Sequence, residues 1–452
     1  MSQVFFVGNG RERFSYLFSK NKECVMMKYG RIFTILSVAI AVCMSVFWGS
    51  PAEAKTKLTM VETITSPERT KLIRGFLDEF EAANPDIEIE LVSPPYEGSD
   101  QKLNLMLNTN QPVDVFEVRD FFVKGYVNNK KLLDLSDYFD GWDSYEDFLP
   151  LTKKVSHIID KTPYFIPYGF FIKAQFYRKD LFEEKGIAIP ETMAELVETA
   201  KALTDPEKGT YGFAFRGGSS EIKFTDVFVM SYLDNIDPET GYMTTDGEPY
   251  FDQPEAIQGL KDWVQLYKEG SPEDSLNWGW NEQVSGFVSG MTPILWQDPD
   301  TVAICLQRLE GTEKFSVGPM PVGPSGKVYL DYGFAGWGIA SYSEHKEEAW
   351  KLIQFLSSKD VNVAFSKHNG TLPVSNAAMA DPYFSSGAYL GWKEMFDNQD
   401  KYVFILLPFD KKEYAPFTQE HRNDLQNLLL GKITPEEAAK KWADVWRKVY
   451  GQ

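Results

Sequence analysis

The sequence predicts an α/β protein with a parallel sheet, and three features predict it. After residue 54 the chain opens strand–helix–strand, an order that favours parallel strands with a helical crossover. The alternation of strands and helices then continues along the chain. Hydrophobic residues make up 43% of 452, enough for a sizeable core, which excludes wholesale disorder. At about 150 residues per domain, the length suggests about three domains or two large lobes.

The elements follow in order. Leu58 to Ile64 is apolar and β-prone. Ser66-Pro67 supplies an N-cap and an N1 proline, and Leu72, Ile73, Phe76, Leu77 and Phe80 follow at helical spacing until Asn84-Pro85 stops them. Ile87, Ile89 and Leu91 alternate with Glu88 and Glu90, the pattern of a half-buried strand. Val113 to Val118 is the next strand, Thr192 and Glu195 form a capping box for a helix to Leu203, and Tyr211 to Phe215 reads as a strand. Pro254 opens a helix with Ile257, Leu260, Val264 and Tyr267 on one face, and another runs from Glu344 to Leu356. Thr434 and Glu437 cap a last helix, with Ala438, Trp442, Val445 and Val449 as its buried stripe. Tyr164–Gly169 and the Pro- and Gly-rich Pro319–Gly326 read as crossings between lobes.

The N-terminus reads as a secretory leader. Lys28 and Arg31 precede the uncharged run Ile32 to Trp48, and Pro51 and the small-residue triplet Ala52-Glu53-Ala54 follow it, so cleavage is expected after Ala54. The competing reading is a membrane anchor, and Cys43 at the end of the apolar run offers a lipoprotein as a further alternative. Without residues 1–54 the chain keeps 398 residues; six basic and three acidic residues leave with the segment, so the net charge goes from −19 to −22. Cys305 then stands alone, so no intrachain disulfide is possible and one thiol is expected. The acidity disfavours nucleic acid as a partner.

The motifs of common enzymes are missing. There is no phosphate-binding GxxxxGK[ST], dinucleotide fingerprint, GxSxG elbow or HExxH. The four histidines, His157, His345, His368 and His421, are spaced unlike metal ligands and read as ordinary surface or turn residues, so no metal or cofactor is expected. Trp278, Trp280, Trp296 and Trp337 stand in Gly- and Pro-punctuated stretches, where a flat aromatic face can stack on the C–H face of a sugar ring. The alternative is that a buried Trp is core, as expected of the helical Trp263, Trp350, Trp442 and Trp446.

The stretch Ile166 to Thr204 carries a family resemblance. Tyr177-Arg178-Lys179-Asp180, Gly186, Pro190, Thr192 and Glu195-Leu196 resemble a run typical of sugar-binding proteins of bacterial ABC transporters, the maltodextrin-binding type. FLDEFEAANPDIEIELV, PVDVFEV, FVSGMTPILW, GFAGWGIASYSEHKEEAWKLIQFLSS and ITPEEAAKKWADVW are similar, in the same order, to further segments of that family, so the resemblance spans residues 57–449. It implies two α/β lobes of the periplasmic-binding-protein type joined by crossing strands, with ligand in the cleft. The implied lobes are 55–169 plus 323–368 and 170–322 plus 369–452.

The resemblance also implies site residues: Glu62 and Thr65; Arg119 and Asp120; Tyr168, Phe170 and Lys173; Arg216; and Trp278, Trp280, Trp296, Asp298 and Trp337. Phe170 and Phe171 stand where related proteins often carry polar groups, which implies a more aromatic cleft. The implied function is that of an exported, monomeric, non-enzymatic receptor, which delivers a saccharide to a membrane permease by lobe closure. Two alternatives remain at this point: a receptor for a cation such as a polyamine, and a polysaccharide-active enzyme with two convergent carboxylates.

Overall fold

The computed structural model describes residues 55–218, 221–409 and 411–451, the side chain of Glu97 excepted. The leader, the cut after Ala54 and Cys43 lie outside the described residues. Among the described residues no helix is long and apolar enough to cross a membrane.

Among the described residues two sheets organise the chain from Thr56 onward. The larger contains β1 (Thr56–Val61), β2 (Ile87–Val92), β3 (Val115–Arg119), β4 (Phe165–Ile172), β8 (Val328–Ile339) and β9 (Tyr402–Ile405), in the order β2-β1-β3-β8-β4 with β9 beside β8. The smaller has β5 (Ala174–Tyr177) between β6 (Ile294–Gln297) and β7 (Ser316–Gly318).

Sequence chemistry sets the opening unit. Ser66 accepts a hydrogen bond from the Arg69 amide at 3.2 Å and Pro67 follows, so the helix Pro67–Ala83 starts where expected. It buries Ile73, Phe76, Leu77 and Phe80. In β2, Ile87 and Ile89 are buried and Glu88 and Glu90 exposed, because successive side chains point to opposite faces. β2 and β3 both run parallel to β1, as predicted. Most of the remaining pairs depart from the expected parallel course: β8 is antiparallel to β3 and β4, and all pairs of the small sheet are antiparallel.

All twelve residues of β8 are buried. Neighbours cover both of its faces and β3, β4 and β9 take its edges, so it reads as an apolar and glycine run broken by the ion-paired Asp331 rather than as an alternation. Gly336 shows how close the strands come: a Cβ there would lie 2.3 Å from the Ile166 carbonyl oxygen.

The chain passes from the large sheet to the small one at Lys173, between Ile172 and Ala174. That is a few residues past the expected crossing at Tyr164–Gly169, because Phe170–Ile172 still pair with Tyr332–Phe334. The register shifts between Pro167 and Gly169, where proline has no N–H to give the ladder. The return runs from Gly318 to Val328, enclosing the expected crossing at Pro319–Gly326. β9, which the expected boundaries group with the small sheet, pairs in parallel with Val328–Asp331 in the large one.

The capping boxes at Thr192 and Thr434 both form, and the helices Met193–Leu203, Pro254–Gly270, Lys346–Leu356 and Pro435–Tyr450 each bury an apolar face. Of the expected stripes, Leu260, Tyr267, Ala438 and Trp442 are buried, while Ile257, Val264, Val445 and Val449 are only half-buried. Trp263, Trp350, Trp442 and Trp446 are buried as expected. Two readings need correction. Tyr211–Phe215 is no ladder strand: Phe213 makes a single bridge to Ile294, and its amide bonds instead to Gly270 O at 2.8 Å. His421 is no surface residue: it is fully buried and stacks on Trp442 with ring centroids 4.1 Å apart.

Two predictions follow from this packing. Gly336→Ala should lower stability by about 3 kcal/mol in urea unfolding, because backbone rather than a pliable side chain meets the new methyl. Cys305 is buried, and burial pushes its thiol up to about 12, so a thiol reagent at pH 8 should modify it only after unfolding.

Candidate ligand-binding site

A cavity of about 300 Å³ lies where the two sheets face each other. The large-sheet side contributes Ile64, Tyr96, Arg119, Asp120, Phe121, Phe171 and the β8 backbone at Gly333–Ala335. The small-sheet side contributes Arg216, Lys223, Phe224, Trp280, Asp298 and Asp300, and Lys173 stands at the passage between them. Larger hollows lie elsewhere, about 460 Å³ beside Asp114, 560 Å³ beside Trp142, 490 Å³ beside Leu151 and Phe396 and 340 Å³ beside Asp234, but none of them includes the strand-end residues Arg119, Asp120, Lys173 or Asp298.

Strand ends position the polar groups. Arg119 closes β3 and pairs with Asp100 at 2.9 Å. The next residue, Asp120, accepts the Phe121 amide at 2.9 Å and gives its own amide to Phe334 O. Lys173 pairs with Asp331 of β8 at 3.0 Å. Lys223 reaches across from the helix Ile222–Met230, its Nζ 3.8 Å from Asp120 and 3.6 Å from Asp331. Burial pulls the Lys223 ammonium down, but these two carboxylates outweigh it and hold it above its ordinary value. The same ammonium lies 5.0 Å from the Phe121 ring and 5.5 Å from that of Phe409. Phe224 is shared by two cations, Lys173 and Arg216, each 5.2 Å from its centroid.

Two cavity-lining groups are buried with no hydrogen-bond partner among the described residues, Trp280 Nε1 and Asp298 Oδ1. One is a donor and the other an acceptor, and a ligand hydroxyl can serve either. Asp300 opens the helix Asp300–Arg308; burial and the neighbouring charge of Asp298 push its carboxyl up to about 8.

The thirteen residues expected at the site divide. Arg119, Asp120, Lys173, Arg216, Trp280 and Asp298 line the cavity together. Thr65 is half-buried and donates to Pro94 O at 2.8 Å. Glu62 and Tyr168 are buried in an ion-pair network behind the cavity wall. Phe170 is fully buried and exchanges both backbone bonds with Leu372. Three of the four tryptophans pack away from the cavity. Trp296 is a core residue, stacked on Trp263 and giving its Nε1–H to Gln175 at 3.3 Å. Trp337 packs on Tyr168 with centroids 5.1 Å apart. Trp278 is buried against Gly286. Each follows from the size of the indole, which fills space under a Gly-punctuated loop as readily as it lines a cleft.

Sequence reasoning missed Ile64, Tyr96, Phe121, Lys223, Phe224 and Asp300 as wall residues, whereas Phe171 stands at the cavity, in line with the more aromatic cleft expected. Lys223 had a signal. It is the one residue of the helix Ile222–Met230 that is not buried, a lone cation inside an apolar segment.

A model of the bacterial extracellular solute-binding protein family matches residues 65–363. The chain belongs to that family. A Brucella abortus (strain 2308) chain described only as a binding protein is 26% identical over 371 residues, covering 80% of this chain and 85% of that one. A mannitol-binding protein of Pseudomonas aeruginosa is 24% identical over 326 residues, 69% of this chain and 71% of that one. Among solved structures, an ABC transporter solute-binding protein of Thermotoga lettingae bound with α-D-tagatose superposes with a TM-score of 0.73. It is 21% identical, covering 88% of this chain and all of that one. The fold is the two-lobe one of these proteins, and the cavity is lined from both of its sheets.

The Asp298–Asp300 pair sets a pH test. A carboxyl whose native pKa is raised makes the native state bind more protons than the unfolded one, so stability falls as pH rises from the unfolded value near 4 to about 8. Asp300→Asn should therefore be more stable than the parent, by a margin that widens from pH 4 to pH 8 and then levels in chemical denaturation.

Proposed function

We propose that the chain captures a neutral polyhydroxylated solute of the size of one sugar ring or an open-chain polyol, outside the cytoplasmic membrane. It delivers the solute to the permease of an ABC transporter. The observation that carries this reading is the wall of the cleft. Four basic side chains, Arg119, Lys173, Arg216 and Lys223, line it with three acids, Asp120, Asp298 and Asp300, which disfavours a polyamine. The ion pairs to Asp100 and Asp331 offset the basic excess. A neutral ligand leaves these pairs intact and uses their spare lone pairs and N–H groups, with Trp280 Nε1 and Asp298 Oδ1 as ready partners.

The volume supports a small ligand, because about 300 Å³ is the lower end of the range for small-molecule sites. Mannitol and α-D-tagatose, bound by the relatives, are of that size. Export as a monomer with cleavage after Ala54 fits a receptor of this family, with anchoring through Cys43 as the alternative. Turnover is not part of the function: the cleft is a binding device that lobe closure completes, excluding water from the ligand.

Calorimetric titration with mannitol, tagatose, maltose and putrescine, with product analysis of the same samples, tests this. A hexitol or hexose should bind with little salt dependence. A tenfold loss between low and high salt, binding of putrescine alone, or turnover would overturn it. Trp280→Ala should weaken binding by about 2 kcal/mol, roughly thirtyfold, with little change in the denaturant midpoint.

A further inference from the structure

Glu62 and Tyr168, two residues the family resemblance would place on the ligand, are turned away from the cavity into a buried network centred on Arg69 and Glu117. Glu117 is 1% exposed and lies on β3, two residues before the cavity-lining Arg119. Its Oε2 accepts the amides of Thr63 at 2.6 Å and Ile64 at 2.8 Å, and the Thr63 hydroxyl at 3.1 Å. Its Oε1 accepts Arg69 Nη2 at 2.6 Å and the Tyr168 hydroxyl. Arg69 Nη1 donates to Glu62 Oε2 at 2.6 Å and to Ile64 O, and Nη2 reaches Tyr168 at 3.2 Å. Glu62 Oε1 in turn accepts Ser93 at 2.6 Å and Thr70 at 2.5 Å.

Most of these bonds end on one short segment, the loop Glu62–Ser66 between β1 and the helix Pro67–Ala83, and the rest tie Glu117 to Arg69 and Tyr168 beside it. The loop carries Ile64, which borders the cavity. It also holds the next wall residue: Ser99 donates to Thr63 O at 2.7 Å, at the start of the helix that presents Tyr96. Asp100 follows and pairs with Arg119. So one carboxylate, through one loop, fixes the positions of Ile64, Tyr96 and Arg119 relative to one another.

We propose that Arg69, Glu117 and Tyr168, none of which lines the cavity, are positioning residues that set ligand affinity by holding the loop after β1 in its binding register against β3 and β4. The physical ground is preorganisation. A wall whose backbone is already fixed loses no ordering entropy when ligand arrives, whereas a loop that has lost its anchor must be reordered at the expense of affinity. Burial works against the Glu117 charge, but Arg69, the Tyr168 hydroxyl and the two amides outweigh it and hold its carboxyl below the ordinary range. The loop therefore stays pinned across the neutral range.

The affinity part rests on the polyol reading above, and the test separates the two. Tyr168→Phe removes one hydroxyl and keeps the ring that packs on Trp337 and Phe365. Glu117→Gln removes the charge and puts a donor where an acceptor is needed. Each variant is titrated with the polyol that binds the parent best, and amide exchange is followed at Thr63 and Ile64 without ligand. Expected are affinity at least threefold weaker for Tyr168→Phe and at least tenfold weaker for Glu117→Gln per folded molecule, with faster exchange confined to this loop. If Glu117→Gln fails to fold, Tyr168→Phe carries the test. Parental affinity and parental exchange in a folded variant overturn the proposal. Faster exchange throughout the protein with unchanged affinity of the folded fraction makes the network merely structural and also overturns it. If no polyol binds the parent, the functional reading fails, and the exchange of Thr63 and Ile64 still decides whether the network holds the loop.

Discussion

The burial of one carboxylate constrains much of the large-sheet side. Glu117 is out of water in the middle of a sheet, where an unpaired charge would cost several kcal/mol. Every lone-pair direction must therefore be answered, and the answers come from different parts of the chain: the loop after β1, the first helix through Arg69, and β4 through Tyr168. β1 and β3 are held together by few backbone pairs, Met60 with Val115 and Val61 with Phe116. Side-chain bonds from Glu117, and from Asp114 to the Thr59 amide at 2.8 Å, extend the join beyond the ladder. Such a network adds little net stability over apolar packing, but it specifies one arrangement, because any slip strands a buried charge.

The same logic governs the cleft with the opposite outcome. In the Glu117 network behind the wall both carboxylate oxygens are satisfied within the protein. At the cavity Trp280 Nε1 and Asp298 Oδ1 have no hydrogen-bond partner among the described residues, and Lys223 stands 3.6 Å from Asp331 and 3.8 Å from Asp120, beyond hydrogen-bond length. Unsatisfied buried groups are costly; others persist away from the cavity, at Trp263 Nε1 and Trp446 Nε1, but those at the cavity stand where a ligand hydroxyl can complete them.

Much of this was legible in the sequence where the signal is local. The caps at Ser66, Thr192 and Thr434 and the alternation of β2 each depend on residues a few positions apart, and they came out as read. The antiparallel course of β8 was not legible, because strand direction is decided by where distant segments dock. Nor was the fate of the tryptophans. Trp280 lies at the cavity and Trp278, two residues earlier, is packed inside, though both stand in the same Gly-rich stretch. The family resemblance carried Arg119, Asp120, Lys173, Arg216 and Asp298 to the cavity wall, yet it also pointed at Glu62 and Tyr168, whose neighbourhood in this chain is filled by Arg69. An alignment position does not show which way a side chain turns when a new counter-charge sits behind it.

Lys223 bears on how the cleft is held. It projects from the small-sheet side towards Asp120 of the large-sheet side and is flanked by Phe121 and Phe409, whose rings meet edge to face at 5.4 Å. Phe121 is 49% exposed, so this cluster lies at the solvent edge of the cavity it borders. Each cation–ring contact there is worth about 0.5–1 kcal/mol, and an ion pair beyond 3.5 Å adds little more. Contacts of that size are too weak to lock the lobes without ligand, since a few kcal/mol separates a minor state from a dominant one. The edge cluster is therefore a weak tie across the mouth of the cavity, 3.8 Å between Lys223 and Asp120, whereas the wall behind it is held by fully buried bonds to Glu117.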